Sequence, residues 1–523
     1  MKLRKALFSI FLAWTVLMLA CNLPVRREGD LSPSELRSTL EALKKIRIPQ
    51  STSAPGRVTD APPITPFAGL ATATPALSED KPEEPPKLAV PGEPFTYYTQ
   101  AGDTLPALSA RFGVNPQEIT TIEPLSMEGL LPVGIMLSIP NRLGQPPFPS
   151  ALLPDSEIIH SPSTIGFSTD EYVRQAGGYL QNYEETVHGE LLKGAQIVQR
   201  VAELTSTNPR VLLALLEFRS GWVRGQPETE KEKIYPIGYQ ISGQEGLYRE
   251  LSIAANQLNA GYYGWRRGTL TELQFPDPVT VRLSPTLNAG TASLQRLFSQ
   301  FYPLPNWQEV LYGEENFPRL VQDMFGDPWE RARVVEPLFS ADLSQPDLEL
   351  PFLPGERWAL TGGPHYSWNA GSPRGALDFA PITKPIGCQV SPAWVTASAP
   401  GVVVRTGEGI LVLDLDGDGF EQTGWVLFYL HMAETDRLNP GTMVQADQKL
   451  GHPSCEGGQS TGTHIHMARK YNGEWITSDQ PLPFLLSGWQ AVEGEKNYLG
   501  TLVKGDRTVS ANPGGNRTSV IIR

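Results

Sequence analysis

A chain of 523 residues with 48 Pro and 49 Gly is too long for one ordinary domain, and three or four domains with linkers are expected. The formal net charge of -13 excludes nucleic acid or an anionic lipid surface as the main partner, because either needs a basic patch. No apolar run after residue 21 is long enough to span a bilayer, so everything downstream is expected outside the membrane.

Lys2, Arg4 and Lys5 precede an apolar run from Ala6 to Ala20. This is the pattern of an export signal rather than of fold, and residues 1–20 are read as one. Leu17-Met18-Leu19-Ala20-Cys21 resembles a bacterial lipobox, with Met18 standing where the usual Leu would be. The resemblance implies a lipid on Cys21 and a place at the bacterial cell envelope, with the membrane reached through that anchor alone. Cys388 and Cys455 then remain as an even pair in an oxidising compartment and are read as a disulfide, two separate buried thiols being the alternative. Residues 21–94 are expected to form a Pro-rich tether, with 13 Pro between 22 and 94. One short helix is expected within it, capped by Ser32, with Leu36, Leu40 and Leu43 on one face.

From Phe95 the pattern changes. Thr96 to Thr99 alternate as a strand, Gly102-Asp103-Thr104-Leu105 forms a turn with Asp103 or Thr104 capping a helix, and Leu137-Ser138-Ile139 forms a closing strand. Residues 95–142 resemble a LysM domain, a small βααβ fold, although the family's usual Asn is replaced near Glu123. The resemblance implies binding to the N-acetylglucosamine backbone of peptidoglycan or chitin, a spacer that has lost binding being the alternative.

Residues 143–345 read as mostly helical. Ile197, Val198, Val201 and Leu204 have helical spacing, as do Val211, Leu212, Leu215 and Leu216, with Asn208-Pro209 as N-cap and N1 between them. The stretch resembles the lysozyme-like fold of lytic transglycosylases. That family places a Glu directly before the Ser-Gly pair, and Arg219 stands there in this chain. Glu217 is two residues earlier, about 200° around a helix. The domain is therefore expected to be non-catalytic, with a groove for glycan.

Five of the seven His fall after residue 350. His365 and Asp378 lie in one segment, His431 follows an apolar strand, and His464 and His466 stand two apart, which puts them on one face of a strand. Two imidazoles and a carboxylate suit zinc and leave a position open for water. These segments resemble the lysostaphin-type zinc metallopeptidases of the staphylolysin or beta-lytic branch. The resemblance implies an all-β antiparallel domain over 346–500, followed by a tail at 501–523. It implies His365, Asp378 and His466 as ligands of one catalytic zinc. His431 and His464 follow as general base and oxyanion stabiliser, in an order the sequence leaves open. His160, His188 and His452 fit no pattern.

Asp414, Asp416 and Asp418 resemble a calcium loop, but position 12 is Trp425, and Asp-Gly pairs between strands also make plain turns. The whole implies a multidomain zinc metalloendopeptidase that cuts the peptide part of peptidoglycan, with glycan held through the LysM segment. The rival expectation is a non-catalytic wall-binding regulator of other hydrolases. A glycan-cleaving lytic transglycosylase is disfavoured by Arg219.

Overall fold

The computed structural model describes residues 92–122, 125–340, 342–382, 387–407 and 409–523. The export signal, Cys21, the tether up to residue 91 with its short helix, and Glu123 lie outside the described residues. Among those described, no helix is long and apolar enough to cross a membrane.

The first unit pairs β1 (Phe95–Tyr98) antiparallel with β2 (Met136–Ile139). Alternation buries Phe95, Tyr97, Leu137 and Ile139 against α1 (Leu105–Phe112). Thr104 provides the cap, its Oγ1 accepting from Ala107 N at 3.3 Å. Asp103 is buried instead in an ion pair with Arg111 at 2.7 Å. The expected second helix is not formed among the described residues: the segment makes a three-residue 3-10 turn, Pro116–Glu118. Thr120 then exchanges two backbone hydrogen bonds with Ser138, of 3.0 and 2.8 Å. The β-branched run Ile119-Thr120-Thr121-Ile122, closed by Pro124, favours that bridge over a helix. The unit is docked on the helical part: Arg111 Nη2 donates to Trp265 O at 2.9 Å, and Arg282 Nη2 to Ala110 O at 2.9 Å.

The helical part centres on α2 (Gly194–Thr205), α3 (Pro209–Ser220) and α4 (Leu247–Arg266). Asn208 caps α3 by accepting from Arg210 N at 2.9 Å. Arg219 Nε donates to Ile237 O at 2.7 Å and its guanidinium lies over Phe301. Glu217 accepts from the backbone N–H of Val223 and Arg224, each at 2.9 Å, which ties it to the turn after the helix.

The C-terminal part is sheet-rich. Its main sheet contains β3 (Arg357–Tyr366), β4 (Arg374–Pro381), β5 (Gly401–Gly407), β6 (Gly409–Asp414), β7 (Trp425–Met432), β8 (Ile465–Tyr471) and β9 (Val520–Ile522). Across the sheet they run β5, β6, β7, β8, β4, β3, β9, every neighbouring pair antiparallel. On one face Leu411, Leu427, Tyr429 and Met467 join Trp489 and Leu502 in a separate core. On the other, Val412, Val426, Phe428, Ala468 and Trp475 merge into the core of the helical part. Full burial contributes about 1.5–3 kcal/mol per large apolar side chain, so this contact is of domain-core strength. It is pinned by Tyr262 Oη donating to Glu474 at 2.8 Å and by Trp475 N donating to Tyr263 Oη at 2.9 Å.

The chain after residue 500 does not trail away as a tail. It forms the strand pair Gly500–Lys504 and Arg507–Ser510, then β9 on the edge of the main sheet. Thr501-Leu502-Val503 and Thr508-Val509 bury one side chain in two around a Gly505-Asp506 turn.

Candidate active site

His365, Asp378 and His466 converge from β3, β4 and β8. Asp378 stands in register with His466 on one side and with Gly362 on the other. Two irregularities in β3, flanking Gly362, carry His365 into the same cluster. His365 Nε2 lies 2.9 Å from His466 Nδ1, and each is 3.3 Å from Asp378 Oδ1.

The outer nitrogens decide what the inner ones present. His365 Nδ1 is 2.8 Å from Gly363 O, and His466 Nε2 is 2.9 Å from Ser367 O. A carbonyl oxygen only accepts, so these outer nitrogens carry the protons. The inner nitrogens of the two neutral rings then aim lone pairs at each other. Asp378 Oδ1 is buried with no hydrogen-bond partner among the described residues. The ligand-type atoms of the three residues lie within 4.8 Å of one another. Three electron-rich atoms facing one buried point repel unless a cation lies among them, and two imidazoles with one carboxylate are a zinc set with room for a fourth ligand.

His431 reaches this face by a departure from strand geometry. Regular alternation would send it to the opposite face with Tyr429 and Leu427, whereas His466 shares its face with Ala468. The β6–β7 ladder slips between Ile410 opposite Leu430 and Gly409 opposite Met432, leaving His431 as the extra residue at φ 69°. The bulge turns its ring into the cluster, with ring centroids 4.5 Å from His464 and 6.4 Å from His466. Its Nδ1 donates to Glu456 O at 2.8 Å. Burial pushes this imidazole well below its ordinary value, with His464 and His466 adding to the shift, so it stays neutral. His464 donates from Nδ1 to Gly462 O at 2.8 Å and brings Nε2 to 3.7 Å from Asp378 Oδ1.

These five residues share a groove of about 1350 Å³. Cys388 and Cys455 are bonded, with Cα atoms 5.3 Å apart, beside the wall formed by Gly458 to His464. The groove is also lined by residues that no sequence pattern marked. Tyr498 stacks on His365 at 4.2 Å between ring centroids, and Asn497 and the loop Pro513–Arg517 stand near it. They lie more than thirty residues beyond the His-x-His pair, and no spacing rule connects them to it.

The remaining candidates stand elsewhere. Asp414, Asp416 and Asp418 do cluster. Their oxygens serve the hairpin turn: Asp414 Oδ2 accepts from Gly419 N at 2.9 Å and Asp418 Oδ1 from Phe420 N at 2.8 Å. Burial, then the neighbouring Asp414, raises Asp416 to about 6. His160 is buried beside Gln422, His188 packs edge-on against Tyr248, and His452 lies against Trp394.

Residues 151–338 match the family described as LasA, N-terminal domain. Protease LasA of Pseudomonas aeruginosa (strain UCBPP-PA14) is 26% identical over 354 residues, 64% of this chain and 78% of that protein. The beta-lytic metalloendopeptidase of Achromobacter lyticus is 30% identical over 136 residues, 24% of this chain and 34% of that protein. Its namesake from Lysobacter enzymogenes is 28% identical over 136 residues, 24% of this chain and 71% of that protein. Among solved structures, the M23 metalloprotease pseudoalterin is 25% identical with a TM-score of 0.27, covering 33% of this chain and 96% of that one. The chain is thus similar to Protease LasA over most of that protein's length and to beta-lytic metalloendopeptidases over a shorter stretch.

Proposed function

We propose that this protein is a zinc metalloendopeptidase that hydrolyses crosslinks or stem peptides of bacterial peptidoglycan. The observation that carries the reading is the buried trio of two inward imidazole lone pairs and an orphaned carboxylate oxygen, which a zinc ion would complete. His365, Asp378 and His466 would hold the ion. Bound zinc polarises a carbonyl and makes water acidic enough to attack near neutral pH.

The rest is the work of the chain. His431, kept neutral by burial, has its second nitrogen available to take the proton from the attacking water. His464, anchored at Gly462 O, faces the oxygen on which negative charge develops. Gly363 and Ser367 hold the ligand tautomers through their carbonyls. Homology to LasA and to beta-lytic metalloendopeptidases supports the same chemistry.

In this reading Cys21 carries a lipid that holds the enzyme at the envelope, and residues 95–142 bind the glycan. The helical part is non-catalytic, because Glu217 is engaged by two backbone amides and Arg219 by Ile237 O. The test is digestion of purified sacculi by zinc-loaded protein, with released ends identified by mass spectrometry. New peptide termini that vanish in His464→Ala are expected. Intact sacculi, or only reducing sugar ends, would overturn the reading.

A further inference from the structure

The groove runs on from the histidine cluster along β3 toward the loop that precedes β9. Two buried polar atoms in residues of its wall, Thr361 Oγ1 and Asn497 Oδ1, have no hydrogen-bond partner among the described residues. Leaving such an atom unmatched costs ~1–3 kcal/mol, so a pair in one groove signals a ligand that satisfies them. A hydroxyl and an amide oxygen suit the C=O and N–H groups of an extended peptide.

Arg517 stands at the far end. It is exposed, and among the described residues it is the one Lys or Arg that lines the groove. Among the described residues its guanidinium makes no ion pair or hydrogen bond. The turn that carries it is closed around it, since Asn516 Oδ1 accepts from Thr518 N at 2.9 Å and from Ser519 N at 3.0 Å. A cation left unpartnered on a closed turn at the end of the groove can pair with an anionic ligand lying in it.

Strand geometry sets the separation. Ala380, two residues from Asp378, pairs with Ala359, which pairs with Val520, three residues beyond Arg517. With ~3.3 Å per residue along a strand and ~4.8 Å between strands, the loop lies on the order of 10–15 Å from Asp378. That is the reach of about three or four extended residues.

We propose that Arg517 selects anionic peptides, gripping a free carboxylate about three or four residues from the bond to be cut. Thr361 and Asn497 hold the intervening backbone. The planar guanidinium matches a carboxylate in two parallel hydrogen bonds. This inference rests on the peptidase reading for its substrate, and its test separates the two.

The probes are synthetic stem-type peptides in two forms, free acid and fully amidated, offered to zinc-loaded full-length protein. For the wild type, KM for the acid form should be about tenfold lower than for the amide form, with similar kcat. Arg517→Gln should erase that difference by raising only the acid-form KM, and Arg517→Lys should keep part of it. Calorimetric titration of both peptides into His464→Ala protein reads the same preference without turnover. Acid-selective binding with no cleavage by the wild type defeats the peptidase reading and sustains the role of Arg517. Cleavage with no acid preference does the reverse. An undiminished preference in Arg517→Gln, or no binding of either form, overturns the proposal.

Discussion

Gly362 faces Asp378 across the β3–β4 pair with no space for a side chain. A Cβ there would stand 2.3 Å from Asp378 Oδ2, and ordinary contact begins at 3.4 Å, so the carboxylate would retreat by about 1.1 Å. Zinc–carboxylate bonds are ~2.0–2.2 Å long and tolerate ~0.2 Å. Gly362→Ala should therefore bind zinc about 100-fold more weakly although no ligand is removed. The backbone accepts the change, because Gly362 has no positive φ. Gly407→Ala is the control, since a Cβ there meets nothing within 4 Å. Competition against a chromophoric chelator gives the affinity, and far-UV circular dichroism checks the fold. A natively folded Gly362→Ala protein with wild-type zinc affinity would refute both the ligand set and the steric argument.

Zinc content should separate the histidines: His466→Ala loses the metal, whereas His431→Ala keeps it and loses ~10²–10⁴-fold in turnover. Metal analysis beside an activity assay checks this, and zinc retained by His466→Ala reverses the assignment. Reducing the Cys388–Cys455 bond, which closes a sequence separation of 67, should lower stability by about 2–4 kcal/mol, visible as a fall in thermal midpoint on adding reductant. An unchanged midpoint would show that the bond constrains nothing. Acid should also destabilise the protein through His160. Burial, reinforced by Lys470 and Arg405 and opposed by Glu421, lowers it from 6.5 to about 4. The unfolded chain then binds the extra proton between those values, so stability present above pH 6.5 is lost as pH falls toward 4, by up to ~3 kcal/mol. Urea midpoints at pH 7 and pH 4.5 should differ less in His160→Gln than in the wild type; equal differences would disprove this.

What the residues announced on their own were features of short range. His464 and His466 share a face because a strand repeats every two residues, and Asn208-Pro209 starts a helix because side-chain and ring chemistry act within one turn. Alternation around Gly505-Asp506 is equally legible, and it marks a hairpin rather than a tail. Cys388 and Cys455 could be paired by count, once the third cysteine, Cys21, is read as the one that carries lipid.

Other features depend on partners distant in the chain. His431 would face away from the cluster by strand period. A slip in pairing against Gly409 turns it inward, and that slip belongs to two strands together. Thr120 leaves a helical segment because Ser138 offers it a ladder bond, and that bond exists once β2 is in place. Phe428, Ala468 and Trp475 look like the core of a sheet, but whether a sheet face meets its own domain or a helical one is settled by packing, where burial has no direction in sequence. The groove follows the same rule. Thr361, Asn497 and Arg517 come from three separate segments, and only the folding of β9 back onto β3 brings them along one path from the histidines.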